Sequence, residues 1–332
     1  MDRTMVTVVL LGVFGLAACG RPAPEKPEAP EKSPEVTKIP VILDTDIGSD
    51  IDDTWALALL LNLPELDLKL VVTDSGDTRA RARIAARFLE VAGRADVAVG
   101  VGKFEGEAEL PQEPWVEGYE LENYPGTVLE DGVDALIRTI RESPEPVVLF
   151  VIGPAPNIAE ALRRDPGIVE NARVIAMSGS IDVGYGGKPE PDAEYNVKQD
   201  PAATRAMYEA GWDVLLAPLD TAGTIQLTGD LYQRVLACRK PEIQALIENY
   251  RIWAPRIDWA EVNPDVASST LFDTLAVALA VEDGWVEIEE LRLEVTDDGF
   301  TRRSEQGARV RAAVRWKDRD AYHQWLVDRL VE

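Results

Sequence analysis

The chain has 332 residues, with 59 Asp or Glu against 34 Lys or Arg, so its formal net charge at pH 7 is −25. A charge of this sign opposes binding to a phosphate backbone, and we therefore expect no nucleic-acid partner. The length and the 46% of hydrophobic residues are sufficient for one large domain.

The first segment has the pattern of a bacterial lipoprotein signal peptide. Arg3 precedes the apolar run 5–18, which ends in Leu16-Ala17-Ala18 directly before Cys19. Small residues at this place are typical of a cleavage site, so we expect residues 1–18 to be removed and Cys19 to be lipidated. The run is short for a membrane span, although an uncleaved anchor is the alternative. We therefore predict a cell-envelope protein that is held at the membrane by its lipid anchor only.

Residues 19–38 predict an extended tether. Prolines alternate with charged residues, and no large apolar side chain occurs before Val36, so this segment cannot bury a core. The folded domain is accordingly expected at 39–332. Cys238 is the only other cysteine, which excludes a disulfide within that domain.

An aspartate run follows the first apolar stretch of the domain, 39–43, and precedes a leucine-rich, helix-like stretch, 54–63. Its ten residues contain five aspartates: Asp44, Asp46, Asp50, Asp52 and Asp53. Carboxylates crowded in this way raise one another's pKa and stay ionised only beside a cation. Oxygen ligands favour a hard ion, Ca²⁺ or Mg²⁺, so the run predicts a metal site.

The run has three other interpretations. Aspartates favour turns and helix N-caps, which explains one or two of them but not five. An EF-hand loop counted from Asp44 would need Gly at Ser49 and Glu at Trp55, so that motif is excluded. Asp44-Thr-Asp46 also matches a phosphatase signature, in which Asp44 would be the nucleophile and Mg²⁺ the metal, except that Gly48 stands where Thr or Val is expected.

Short aliphatic runs then alternate with helix-like stretches, as in βαβ proteins. We expect an α/β fold with an open, mostly parallel sheet and helices on both faces. A small antiparallel hairpin is predicted near the C-terminus, at 286–295 and 301–316 with its turn at 297–299. The predicted strands are 41–43, 68–73, 97–101, 147–152 and 172–177, and the predicted helices are 54–63, 78–92, 131–142, 157–164 and 200–210. In such sheets ligands bind beyond the carboxyl ends of the strands, where the aspartate run falls.

Several motifs, taken in order, resemble those of the inosine-uridine-preferring nucleoside hydrolases. These are the aspartate run, Gly76-Asp77 after the second strand, Gly153-Pro-Ala-Pro156-Asn157, Ala193-Glu194-Tyr195-Asn196 with Asp200-Pro201, and Phe272-Asp273-Thr-Leu-Ala. The resemblance extends from Ile39 to Leu330. It implies a calcium-dependent N-glycosyl hydrolase that acts on ribosides.

The resemblance also implies roles for particular residues. Calcium would be held by Asp46, Asp53, Asp273 and the carbonyl of Pro156, with Asp50 as a possible extra ligand. Asp46 would act as the base on the attacking water. The residues expected to contact the ribose are Asp52, Asp77, Glu194, Asn196 and Lys188. The run is two residues longer than in the family, so either Asp50 or Asp52 takes the first place of the Asp pair. We align Asp52-Asp53 with that pair.

Two departures from the family pattern concern the leaving base and the sugar. Phe272 stands where purine-preferring members have a His, and the only histidine, His323, is expected at the surface of a C-terminal helix. The leaving-group acid would then be Tyr185 or Tyr195, unless the leaving group needs none. Lys188 replaces an Asn, which allows an anionic substituent such as a 5′-phosphate.

Two aromatic segments, 115–124 and 250–259, are either lids over the site or parts of the core or of a subunit contact. A non-catalytic protein that binds calcium and ribose is the second hypothesis for the function. Homo-oligomers are possible by analogy.

Overall fold

The computed structural model describes Met1, Met5 and residues 7–15, 38–107 and 109–332. The chain divides into two units, Met1–Val36 and Thr37–Glu332. The described residues of the first unit contain no helix or strand. The predicted lipidation at Cys19 and nearly all of the predicted tether lie outside the described residues. Within the described ranges, no helix is both long enough and apolar enough to cross a membrane.

The second unit is built on one sheet of ten strands. These are β1 (Ile39–Thr45), β2 (Leu66–Thr73), β3 (Ala98–Val101), β4 (Val128–Leu129), β5 (Val147–Val151), β6 (Ala172–Ala176), β7 (Val214–Leu216), β8 (Val286–Val295), β9 (Thr301–Arg303) and β10 (Ala308–Trp316). Their order in the sheet is β4-β3-β2-β1-β5-β6-β7-β10-β8-β9. All pairs are parallel except those of β8 with β10 and β9.

Helices cover both faces of this sheet. They are α1 (Asp52–Leu61), α2 (Thr78–Val91), α3 (Gly132–Glu142), α4 (Pro156–Arg164), α5 (Tyr195–Gln199), α6 (Pro201–Glu209), α7 (Leu219–Ala222), α8 (Gly229–Ala237), α9 (Pro241–Trp253), α10 (Thr274–Ala278) and α11 (Arg319–Val331). Alternate residues of β1 point to opposite faces. Val41 and Leu43 join a buried cluster with α1 and α2, whereas Ile42 joins a second cluster with α3 and α4. The predicted fold class is thereby confirmed.

The C-terminal antiparallel part is larger than the predicted hairpin. The segment 301–316 forms two strands, β9 and β10, and both pair with β8. β10 also pairs in parallel with β7, so these strands extend the main sheet. Gly307, between β9 and β10, lies close against the backbone of β8. A Cβ at this position would be 2.3 Å from the carbonyl carbon of Leu293, so only glycine fits.

The order of the strands places a switch point between β1 and β5. From β1 the chain moves outward through β2, β3 and β4, and it then returns to β5 on the other side of β1. Ligands of open α/β sheets bind beyond the carboxyl ends of the strands at such a point. The aspartate run follows β1 and the Gly153–Asn157 segment follows β5, so both meet there.

Candidate active site

The aspartate run forms a tight loop from β1 into α1. Gly48 has φ +116°, and a Cβ at this position would lie 2.9 Å from Ile84 Cδ1, so the turn requires glycine. Ser49 Oγ donates a 2.8 Å hydrogen bond to Asp46 Oδ2. Asp46 is buried with only 5% of its surface exposed. The loop therefore holds the predicted base in a fixed orientation.

Helix capping does not explain the aspartates that open α1. The N-cap residue is Ile51, which makes no side-chain cap hydrogen bond. Asp52 and Asp53 lie in the first turn and are 4% and 2% exposed. Thr45 Oγ1 donates a hydrogen bond to Asp53 Oδ1, and this contact orients the carboxylate. Two charged groups are thus buried without a structural reason of their own.

Asp52, which we expected to contact the ribose, instead forms a cluster with Asp53 and Asp273 that is suited to a metal ion. One carboxylate oxygen from each lies within 4.8 Å of the others, and Asp273, 3% exposed, reaches the cluster from the N-terminal end of α10. Burial, followed by the neighbouring carboxylates, raises the pKa of all three well above the ordinary value. Buried oxygen ligands without a neutralising partner are the donor set of a hard cation, so these residues fit the predicted metal.

Asp46 and Asp50, the other carboxylates that we predicted as ligands, lie close to this cluster. The charge of Asp46 raises the pKa of Asp53, which places the predicted base close to the three carboxylates. Asp50 is half-buried, and its Oδ1 accepts a 2.6 Å hydrogen bond from the Ile51 amide. Pro156 is the buried first residue of α4, at the carboxyl end of β5. Asp52, and not Asp50, belongs to the carboxylate cluster, while the first place of the Asp pair stays a prediction.

Glu194 is the N-cap of α5, and Asn196 lies in the first turn of that helix. Asn196 Nδ2 donates to the carbonyls of Ile152 at 3.0 Å and Met177 at 3.1 Å, just beyond β5 and β6. Both amide hydrogens are therefore used, and Oδ1 is left to accept from a ligand hydroxyl. Glu194 accepts from the amides of Gly179, Asn196 and Val197 at 2.8–3.3 Å. Its carboxylate thus caps α5, and burial raises its pKa to about 7.

Asp77 and Lys188 have structural partners. Asp77 is the N-cap of α2 and accepts a 3.0 Å hydrogen bond from the Ala80 amide. Lys188 Nζ lies 2.5 Å from Asp192 Oδ1, and 47% of its side chain is exposed. The ion pair neutralises the cation that we expected to recognise an anionic substituent.

Asp44 of the aspartate run lies near a buried acid that the sequence pattern did not single out, Asp74. Asp44 and Asp74 are both fully buried, and neither oxygen of Asp74 has a hydrogen-bond donor among the described residues. Asn157 Nδ2 donates a 2.7 Å hydrogen bond to Asp44 Oδ1. Burial raises the pKa of Asp44 to about 7. A nucleophile must reach its substrate, so the enclosed position of Asp44 does not support the phosphatase hypothesis.

Arg81 is another residue whose role only the structure shows. It is 1% exposed, and its guanidinium donates to the carbonyls of Asp46, Ile47 and Ser75 and to Ser49 Oγ. Its positive charge counteracts the upward shift of the pKa of Asp53 and Asp74. An arginine on an amphipathic helix has no sequence signal that distinguishes this role from surface exposure.

The two aromatic segments, 115–124 and 250–259, contain both buried core residues and exposed rings, and the exposed rings are called the aromatic rim. Trp115 and Trp253 are buried, and Trp253 Nε1 donates a 2.7 Å hydrogen bond to the carbonyl of Ser49. Trp259 packs edge-on against Trp253 with 5.6 Å between ring centroids, yet it is 59% exposed. The first segment is therefore core around Trp115, whereas Trp259 is exposed and reaches the aspartate run only through Trp253, which binds Ser49.

Phe272, Tyr185 and Tyr195 line the side of the site near Asp273. The rings of Tyr185 and Phe272 meet edge to face with centroids 6.0 Å apart. The Tyr195 amide donates a 2.9 Å hydrogen bond to the Tyr185 hydroxyl. His323 is not at the surface as expected: it is half-buried in α11, and Tyr322 and Trp285 both belong to the surrounding aromatic cluster.

Comparison with known proteins decides the family. A family model described as inosine-uridine preferring nucleoside hydrolase matches residues 41–325. This chain belongs to that nucleoside hydrolase family. The predicted enzyme class, an N-glycosyl hydrolase, is thereby confirmed.

Two curated nucleoside hydrolases show the extent of the similarity. The pyrimidine-specific ribonucleoside hydrolase RihA of Citrobacter koseri is 30% identical over 216 residues, which are 61% of this chain and 67% of that protein. The non-specific ribonucleoside hydrolase RihC of Klebsiella pneumoniae is 30% identical over 227 residues, 64% of this chain and 73% of that protein.

Solved structures of nucleoside hydrolases have the same fold. The plant enzyme PpNRh1 aligns with a TM-score of 0.74 and 22% identity, over 89% of this chain and 99% of its own. The purine-preferring ribonucleoside hydrolase of Gardnerella vaginalis aligns with a TM-score of 0.72 and 22% identity, over 88% of this chain and 98% of its own.

Proposed function

We propose that this nucleoside hydrolase cleaves the N-glycosidic bond of ribonucleosides with Ca²⁺ as its metal. The observation that carries the proposal is the cluster of Asp52, Asp53 and Asp273 at the switch point of the sheet. When bound, the cation would supply Lewis-acid activation of the attacking water.

The side chains around this cluster have complementary tasks. Asp46, held by Ser49, accepts the proton of the water as it attacks the anomeric carbon. Asn196 Oδ1 accepts from a ribose hydroxyl, because both of its amide hydrogens already bind main-chain carbonyls. Fixing the sugar in this way favours the oxocarbenium-like transition state and therefore affects kcat as well as KM.

The test is release of reducing sugar by the full-length chain from purine, pyrimidine and nicotinamide ribosides. It is run with CaCl₂, with MgCl₂ and with a chelator. Release that the chelator stops and Ca²⁺ restores supports the proposal. Calorimetric binding of ribose without release from any riboside would instead support the non-catalytic binding protein. Release that only Mg²⁺ restores would contradict the choice of calcium.

We also propose that the enzyme is lipidated at Cys19 and works at the cell envelope, on the basis of the Leu16-Ala17-Ala18-Cys19 pattern and the Pro-rich segment after it. A Cys19→Ser variant should move from the membrane fraction to the soluble fraction and lose labelling by a fatty-acid probe. Unchanged membrane association and labelling would contradict this proposal.

A further inference from the structure

The side of the site that would face a leaving base contains no strong acid among the residues described there. Phe272 directly precedes the metal-cluster residue Asp273 and packs against Tyr185. The only histidine of the chain, His323, lies in α11 beside Tyr322. Lys188 is paired with Asp192. Proton donation to the base is thus left to phenols.

These phenols are poor donors. The Tyr195 amide donates a hydrogen bond to the Tyr185 hydroxyl, and this bond by itself lowers the pKa of that phenol. Partial burial, with Glu194 as the largest nearby charge, outweighs this bond and raises the pKa of Tyr185 far above the ordinary value, and partial burial also raises the pKa of Tyr195. Because a raised pKa weakens an acid, neither residue is tuned to protonate a departing anion near neutral pH.

The electrostatics of the same region favour a cation. Among the described residues, the ionisable side chains that meet at the switch point are, apart from Arg81, all acids, and crowded acids of this kind stay ionised beside a metal cation: Asp44, Asp46, Asp50, Asp52, Asp53, Asp74, Asp273 and Glu194. The aromatic rim adds Trp259, 59% exposed, Tyr195, 46% exposed, and Tyr185, 39% exposed. Aromatic faces bind organic cations, and a negative potential raises their local concentration.

We propose that the preferred substrates are ribosides of a cationic N-linked azine, the N-ribosyl pyridinium class. This inference rests on the proposed function. In the reaction, the oxygen of water bonds to C1′ and the C1′–N bond breaks. Its electron pair passes to the ring nitrogen, which cancels the positive charge, and Asp46 takes the proton of the water. The pyridine leaves neutral, so no protein group has to protonate it.

The deciding measurement is kcat/KM of the full-length chain with Ca²⁺ for nicotinamide riboside, uridine, inosine and 1,4-dihydronicotinamide riboside. The dihydro compound is the control, because it has nearly the same shape without the charge. We expect nicotinamide riboside to exceed each of the other three at least tenfold. A neutral riboside that is cleaved as well as nicotinamide riboside would overturn the inference but leave the proposed function intact. Silence on all four would refute the proposed function itself.

Two variants give independent readouts. Phe272→His restores an acid beside the base, so the ratio of inosine to nicotinamide riboside activity should rise. Trp259→Ala should raise KM for nicotinamide riboside several-fold more than KM for uridine, and Trp259→Phe should restore part of the difference. Because Trp259 is mostly exposed, the folded state should tolerate both changes. Equal changes in KM for the charged and uncharged ribosides would contradict the role of the aromatic rim.

Discussion

Arg81 Nε donates a 2.7 Å hydrogen bond to the main-chain carbonyl of Ser75, while the other end of the same guanidinium binds the carbonyls of Asp46 and Ile47. One buried side chain thus joins the loops after β1 and β2. Ser75 has φ +59°, a conformation that is uncommon for serine, so this contact also holds a strained turn.

Arg81→Met should make the loop that carries the aspartate run less rigid. It removes the donor to the carbonyls of Ile47 and Ser75, at a cost of roughly 1–3 kcal/mol for each that water cannot reach. We expect Ca²⁺ affinity to fall 10–100-fold, as for other residues that orient metal ligands, measured by calorimetry.

Arg79→Met is the matched control for Arg81. Arg79 lies on the same helix but forms only exposed ion pairs with Glu122 and Glu130. Such pairs contribute about 0–1 kcal/mol. Equal Ca²⁺ affinities of the two variants would show that Arg81 does not position the loop.

Gly153→Ala should disturb the site by volume alone. A Cβ at Gly153 would lie 2.6 Å from Asp74 Oδ1 and 2.9 Å from Asp46 Oδ1. Overpacking of this kind costs about 1–3 kcal/mol, and here it also displaces the predicted base. We expect a lower free energy of unfolding in urea and a lower kcat. Gly284→Ala is the control, because the nearest atom to its Cβ is Glu282 Oε1 at 3.8 Å. If Gly153→Ala were as active as Gly284→Ala, close packing at Gly153 would not be needed to position Asp46.

Asp53→Asn should have opposite effects with and without metal. Without Ca²⁺ it removes one of the mutually repelling, buried carboxylates, so the melting temperature should rise. With Ca²⁺ at about 100 times Kd the wild type should gain about 2.7 kcal/mol, a gain that the variant loses. Differential scanning calorimetry without and with Ca²⁺ measures these two effects separately. Exposed Asp283→Asn should behave like the wild type; retention of the calcium gain by Asp53→Asn would exclude Asp53 as a ligand.

Glu194 should make the metal-free protein less stable as the pH rises. Burial raises the pKa of Glu194 from 4.5 to about 7, so between these values the folded state keeps a proton that the unfolded state has lost. The free energy of unfolding should therefore fall through this window, by on the order of 3 kcal/mol from Glu194. Urea denaturation in the presence of chelator measures the slope.

In the variant Glu194→Gln the free energy of unfolding should change less with pH than in the wild type, whatever the absolute stability of the variant. Asp44 keeps a contribution of the same sign, because burial also raises its pKa to about 7. Exposed Glu282→Gln should retain the full slope. A slope unchanged in Glu194→Gln would show that Glu194 is ionised in the fold throughout this range.

The sequence by itself determined the class of fold, most strand and helix positions near the site, and the aspartate run as the candidate metal site. These features follow from local periodicity and from the order of short motifs. Neither depends on contacts between residues that are distant in the sequence. The same local signals located the hairpin turn at 297–299 but did not show that β9 and β10 are separate strands.

Only the tertiary structure decided which carboxylates come together. Asp273 lies 220 residues after Asp53 along the chain, and the position of α10 brings it to Asp52 and Asp53. Likewise, Arg81, Asp74 and Gly153 look ordinary in the sequence, and their roles arise from contacts between loops after different strands. Such contacts are set by how the whole sheet packs its helices, and no local pattern encodes them.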